Sequence, residues 1–185
     1  MTRVRIRKNL LLSVALLAGC ASPPQQVDMD KLHNQIGQLK SEMQQLTVQT
    51  TALHQQNMLN SNSTEGAWLL PAADTPVLLN SAVGEIRLSL SQITASDRGS
   101  QATLKIRSVA ATALPAFTAQ VEWGECDPTT GKPLQINKQR QIVRADSTLQ
   151  PQSEIAIPLL LSNTTPEQTG YLRVQGITMV ARPQR

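Results

Sequence analysis

Enzymatic chemistry needs groups that ionise, attack or ligate, and this sequence is sparing with them. It has two histidines and two cysteines in 185 residues. Both imidazoles, His33 and His54, fall in one segment of helical periodicity, three heptads apart. At that separation along one helix they cannot share a metal ion, and they read as solvated flank residues. No histidine occurs after residue 54. Ser-His-Asp and Cys-His catalysis both place an imidazole within hydrogen-bond reach of the nucleophile. Neither arrangement can be built within the C-terminal domain.

Cys126 lies between Glu125 and Asp127 and has no CxxC partner. Adjacent carboxylates raise a thiol pKa, which works against a nucleophilic role. Three states are open to it: a buried inert thiol, an exposed thiol forming an intermolecular or mixed disulfide, or a redox group. With Glu122, the same acids supply oxygen ligands in "EWGECDPTTG", but without the spacing of an EF-hand loop. A solvated turn is the simpler reading. Lys138, Arg140 and Arg144 share one face if their strand is regular, either as ordinary solvated charges or as contacts for an acidic partner. Two carboxylates anywhere in the chain can converge for glycoside hydrolysis. With only two Trp, one Tyr and one Phe, however, little surface remains for stacking sugars. No Gly-rich phosphate loop occurs. No catalytic residue, cofactor or metal site is expected, and the protein reads as a non-enzyme.

The N-terminus has a more specific pattern. Arg3, Arg5, Arg7 and Lys8 precede the apolar run "LLLSVALLA" from Leu10 to Ala18, which is too short to span a membrane and fits the h-region of a secretory signal. The run ends in Leu17, Ala18, Gly19 and Cys20. Small residues at 18 and 19 admit the backbone to a peptidase cleft, and the thiol accepts lipid. This resembles the lipobox of bacterial lipoproteins, which implies cleavage before Cys20 and lipid attachment there. Several acyl chains hold a protein to a bilayer far more firmly than one, at roughly 0.8 kcal/mol per buried methylene. Ala21 and Ser22 follow. The absence of Asp after the cysteine favours the outer membrane, with the chain on its periplasmic face. Losing the leader's four cations leaves 13 Lys+Arg against 13 Asp+Glu. The mature chain is thus neutral and aromatic-poor, which excludes a basic or stacking nucleic-acid interface.

These features predict five segments: a signal peptide over 1–19, a lipidated tether over 20–27 interrupted by Pro23-Pro24, a coiled-coil-like helix over 28–60, a linker over 61–66 and a β-sandwich over 67–185. In the helix, Met29, Ile36, Met43, Thr50 and Asn57 occupy a positions. Leu32, Leu39, Leu46, Leu53 and Asn60 occupy d positions. So narrow a stripe suits a coiled-coil seam. It implies a homo-oligomer through residues 29–60, docking on another protein, or an amphipathic helix packed locally. From Ala67 the period becomes two, most clearly in Phe117, Ala119, Val121 and Trp123. Pro158 places its strand at an edge or a bulge. Residues 96–100 read as a turn, 136–144 as strand-like, and 165–170 as a single helical turn. About seven short strands form a small antiparallel immunoglobulin/fibronectin-like β-sandwich, giving a mainly β fold with an N-terminal helix.

Residues 57–90, "LPAFTAQVEWG" (114–124) and "IPLLLSNTTPEQTGYLRVQGI" (157–177) resemble the YajI-like family of small enterobacterial-type lipoproteins. The resemblance implies the same order of lipobox, Gln-rich helix and β domain, and carries over no functional residue beyond Cys20. The expectation is an outer-membrane-anchored periplasmic lipoprotein, an interaction or structural module with an envelope protein as partner. The alternative is a carrier of a small ligand or metal.

Overall fold

The structure, a computed structural model, describes residues 26–63 and 65–180. The signal, Cys20 and the tether up to residue 25 lie outside the described residues, whereas Gln26 and Val27, expected in the tether, already belong to the helix. The chain separates into two compact units, Met1–Lys40 and Ser41–Arg185.

Helix α1 runs from Gln26 to Ser61. Its Gln, Leu, Met and Lys residues are good helix formers, and it contains no proline. It ends where short polar side chains turn back onto the last carbonyls. Ser61 Oγ and Asn62 Nδ2 both donate to Met58 O, at 2.9 Å each. These bonds satisfy an acceptor that the helix itself leaves free.

Nine strands follow: β1 (Ala67–Leu69), β2 (Val77–Ser81), β3 (Gly84–Leu90), β4 (Thr94–Ser96), β5 (Gly99–Ser108), β6 (Phe117–Gly124), β7 (Gln139–Ala145), β8 (Glu154–Ser162) and β9 (Tyr171–Met179). One antiparallel sheet has the order β1-β9-β6-β7. The other has β2-β3-β5, with β8 on the far side of β5 and short β4 pairing the start of β5 beyond the end of β3. The inner faces meet in one core. Ile86, Leu88, Leu104, Ile106, Leu159 and Leu161 from the second sheet are buried with Phe117, Ala119, Val121, Val143, Leu172 and Val174 from the first. Strands β3 and β5 form the central pair of one sheet, β6 and β9 that of the other, and Trp123 is buried in the core. This is the arrangement of an immunoglobulin-like sandwich.

The alternation read in the sequence is the alternation of burial, and β8, which carries Pro158, is an edge strand paired only with β5. Several local expectations need correction. Residues 96–100 are not all turn, because Ser96 pairs with Gly99 and only Asp97-Arg98 reverse the chain. The strand expected from Ile136 begins at Gln139, after Asn137 adopts a left-handed conformation at φ 56°. Residues 165–170, by contrast, hold the single helical turn expected, with Gln168 N and Thr169 N both donating to Thr165 O. The strand count rises from seven to nine because β1 and β4, at three residues each, are too short to show a period. A bulge in β9 also explains one irregular spacing. Thr118 pairs with Thr178 and Gln120 with Gln175, so Gly176, at φ 60°, is the extra residue. Val174 and Ile177 therefore both face inward although three positions apart.

Candidate interaction surfaces

The helix carries an unpartnered apolar stripe among the described residues. Met29, Leu32, Ile36, Leu39, Met43 and Leu46 are all exposed, from 51% for Leu32 to 65% for Met29. They are the a and d residues of two and a half heptads, so they form one continuous stripe. Fully burying a side chain of this kind is worth roughly 1.5–3 kcal/mol.

After Leu46 the helix changes the face it buries. Thr50 and Asn57, expected in the seam, are exposed. Leu53 and Asn60 turn instead to the chain's own β domain, together with Ala52, Gln56 and Leu59. Gln56 is the most buried residue of this helix segment, at 1% exposure. Its Oε1 accepts from Leu70 N at 2.8 Å, and its Nε2 donates to Thr75 O at 3.1 Å. One turn later Asn60 Oδ1 accepts from Trp68 N at 2.8 Å, and Nδ2 donates to Trp68 O at 2.9 Å. The spacings match: four helical residues rise about 6 Å, and two strand residues span about 6.7 Å. The two amides thus cap the outer edge of β1, which β9 leaves unpaired. Sequence reasoning passed over Gln56, because amides on a Gln-rich helix look solvated, and assigned Asn60 to the seam instead. The i, i+4 pairing of Gln56 with Asn60 was the available signal.

Under this cap lies a second, smaller core on the outer face of the first sheet. Tyr171, Leu70 and Ala73 are buried there, with Ala52, Leu53, Leu59, Trp68 and Cys126 packed around them. Gly124 leaves room for the Tyr171 ring, since a Cβ there would meet it at 3.2 Å. Trp68 lies 5.2 Å from Tyr171 between ring centroids, and the Arg173 guanidinium sits 4.8 Å over the Trp68 ring. Tyr171 Oη donates to Glu122 Oε1 at 3.4 Å, and Lys138 Nζ pairs with Glu122 Oε2 at 3.3 Å. Burial, reinforced by the Glu122 charge, pushes the Tyr171 hydroxyl up to about 12.

Cys126 is half-buried in the same cluster, and burial pushes its thiol up to about 11. At neutral pH it is a protonated, weakly reactive thiol, so the inert reading fits it best. Two of the acids near it are engaged by other groups. Glu122 is held by Lys138 and Tyr171, whereas Asp127 Oδ1 accepts from the backbone of Thr129 and Thr130 and from the Thr130 hydroxyl. The Thr130 bonds hold the Asp127 carboxyl below its usual range. Among the described residues no three His, Cys, Asp or Glu side chains group as a metal site. His33 and His54 are both exposed.

Of the three cations expected on one strand face, Arg140 and Arg144 point outward from β7, and Lys138 lies just before it. A groove of about 780 Å³ opens between Gln45, Val48 and Gln49 of the helix, Leu69–Pro76, and Ser89–Ile93 with Lys105. Its walls are half polar and carry one cation and one anion, Lys105 and Asp74.

Two antiparallel sheets with a capped edge, preceded by a helix with an open seam, define a class of mainly β domain bearing an N-terminal helix. Residues 20–182 match the family described as "Protein of unknown function (DUF3251)", and the chain belongs to that family. It is 36% identical over 174 residues to the uncharacterized lipoprotein YajI of Escherichia coli (strain K12), covering 94% of this chain and 96% of that protein. The solution NMR structure of YajI matches with a TM-score of 0.67 over 75% of this chain and 82% of that one, at 36% identity. The trimeric lipoprotein SadB of Salmonella enterica shares the fold, with a TM-score of 0.53 and 17% identity, over 83% of this chain and 80% of that one.

Proposed function

We propose that this chain is a lipid-anchored, non-enzymatic interaction module of the bacterial envelope that associates with copies of itself through helix α1. The observation that carries this reading is the row of six exposed apolar residues from Met29 to Leu46. Exposed apolar area of this regularity marks an interface. SadB, which shares the fold, is a trimer. The anchor is assigned to Cys20, after cleavage at Leu17-Ala18-Gly19, and places the domain on the periplasmic face of the outer membrane. The lipoprotein relative and a family match beginning at residue 20 support this assignment.

Labelled palmitate should enter the full chain and be lost with Cys20→Ser, which should also release the protein from membranes. Retention of label by that variant overturns the anchor. The mature chain should sediment as an oligomer, and Leu39→Pro should make it monomeric. A wild-type monomer at high concentration overturns self-association. The groove beside Lys105 favours a second reading, a carrier of a small ligand, because its size is that of small-molecule sites. A small molecule retained in native mass spectra of protein purified from cells would support that reading over the first.

A further inference from the structure

The sandwich has five edge strands, and four are blocked or short; β4 has only three residues. Strand β1 is capped by Gln56 and Asn60. Strand β8 is interrupted by Pro158, which has no N–H to offer. Strand β2 is five residues long and follows directly on Pro76. Strand β7 differs. It is seven residues long, contains no proline and pairs only with β6. Among the described residues no hydrogen bond reaches its outer side. Such an edge offers a row of free N–H and C=O groups to an incoming strand.

The side chains along this edge define what it accepts. Val143 and Ala145 are buried in the core, which fixes the strand's rotation and leaves Arg140, Ile142 and Arg144 pointing outward. Ile142 is 76% exposed, between the two arginines. Arg144 Nε holds Asp146 Oδ1 at 2.8 Å, whereas among the described residues no carboxylate lies in ion-pair range of Arg140. Glu122, opposite Arg140 in register, pairs with Lys138 instead. A second copy of β7, paired antiparallel about Ile142, would set Arg140 against Arg144 twice. Like charges directly opposed across strands are destabilising, so this register disfavours self-pairing.

We infer that β7 is a docking edge for an extended segment of another protein with the alternation acid–x–apolar–x–acid, which adds to the first sheet beside β7. The acids face Arg140 and Arg144 and the apolar residue covers Ile142, while main-chain hydrogen bonds provide the attachment. This rests on reading the domain as an interaction module, and it names the chemistry of the partner.

The test uses the full chain in detergent and two blocked peptides, Thr-Glu-Thr-Val-Thr-Glu-Thr and its counterpart with Lys for Glu. Hydrogen exchange should slow in residues 139–145 with the Glu peptide and remain unchanged in 77–81. By fluorescence anisotropy the Lys peptide should bind at least about tenfold more weakly. The double variant Arg140→Glu/Arg144→Glu should reverse that preference. Equal binding of the two peptides, or no protection of β7 at peptide concentrations up to about 1 mM, overturns the proposal. So does aggregation of Arg140→Ser without any protection of β7, which would make the arginines guards of the edge. The peptide-charge comparison is made on the wild-type chain, so it stands even if a variant fails to fold. A chain that proves unanchored or monomeric overturns the function proposed above while leaving this measurement intact.

Discussion

Along helix α1 the segment up to Leu46 and the last three turns treat polarity in opposite ways. In the first, six Met, Leu and Ile side chains stand in solvent. In the second, a glutamine is nearly inaccessible while Asn57 beside it is exposed. The difference lies in where the partner is. Gln56 and Asn60 meet backbone groups fixed by the same chain, each making two bonds to the β domain at 2.8–3.1 Å. A buried amide is tolerated when both its donor and its acceptor are satisfied. The apolar stripe has no such partner among the described residues, and apolar area left in water is what drives association. Polarity alone therefore does not tell which half of the helix is structural; the supply of complementary groups does.

Three changes would break or sharpen that contrast. Gln56→Ala removes both bonds and strands Leu70 N and Thr75 O. At about 1–3 kcal/mol for each buried group left unpaired, a loss of roughly 2–6 kcal/mol is expected in urea unfolding. A loss no larger than that of an exposed substitution would mean that the amide cap does not hold the helix down. A smaller effect is expected from alkali. Cys126 and Tyr171 both lie under the docked helix and have pKa values raised from 9.0 to about 11 and from 10.0 to about 12. As pH rises past 9, the unfolded chain releases these protons before the folded one does. Stability is therefore complete below pH 9 and falls between about pH 9 and 12. Melting temperature followed across that range should drop, and Cys126→Ala should flatten the first part of the drop. The smallest effect belongs to the stripe. Ile36→Ser should leave unfolding of the β domain, followed by Trp123 fluorescence in dilute solution, unchanged within about 0.5 kcal/mol. A larger loss would show that the stripe supports its own domain.

Much of the fold was legible because burial in a sandwich follows a period of two. Phe117 to Trp123 and Ile155 to Leu161 could be oriented by alternation alone, and Pro158 marked an edge. The stripe from Met29 to Leu46 was equally plain. The reading failed where the burying partner is not a repeating surface. Asn60 was placed in a seam by its heptad position but is bound to the backbone of Trp68, a pairing no periodicity encodes. Strands β1 and β4 hold by register with neighbours distant in sequence, β1 by Ala67 opposite Val174. Tyr171 and Glu122 are 49 residues apart, and only the sheet brings them together.

The thiol of Cys126 has a consequence beyond its inertness. It lies in the small core that Leu53 and Leu59 of the helix help to enclose. Whenever the last turns of the helix lift away, the sulfur gains water, its pKa falls toward 9.0 and its reactivity rises. Its rate of alkylation should therefore rise above that of the closed, half-buried thiol when Gln56→Ala weakens the cap.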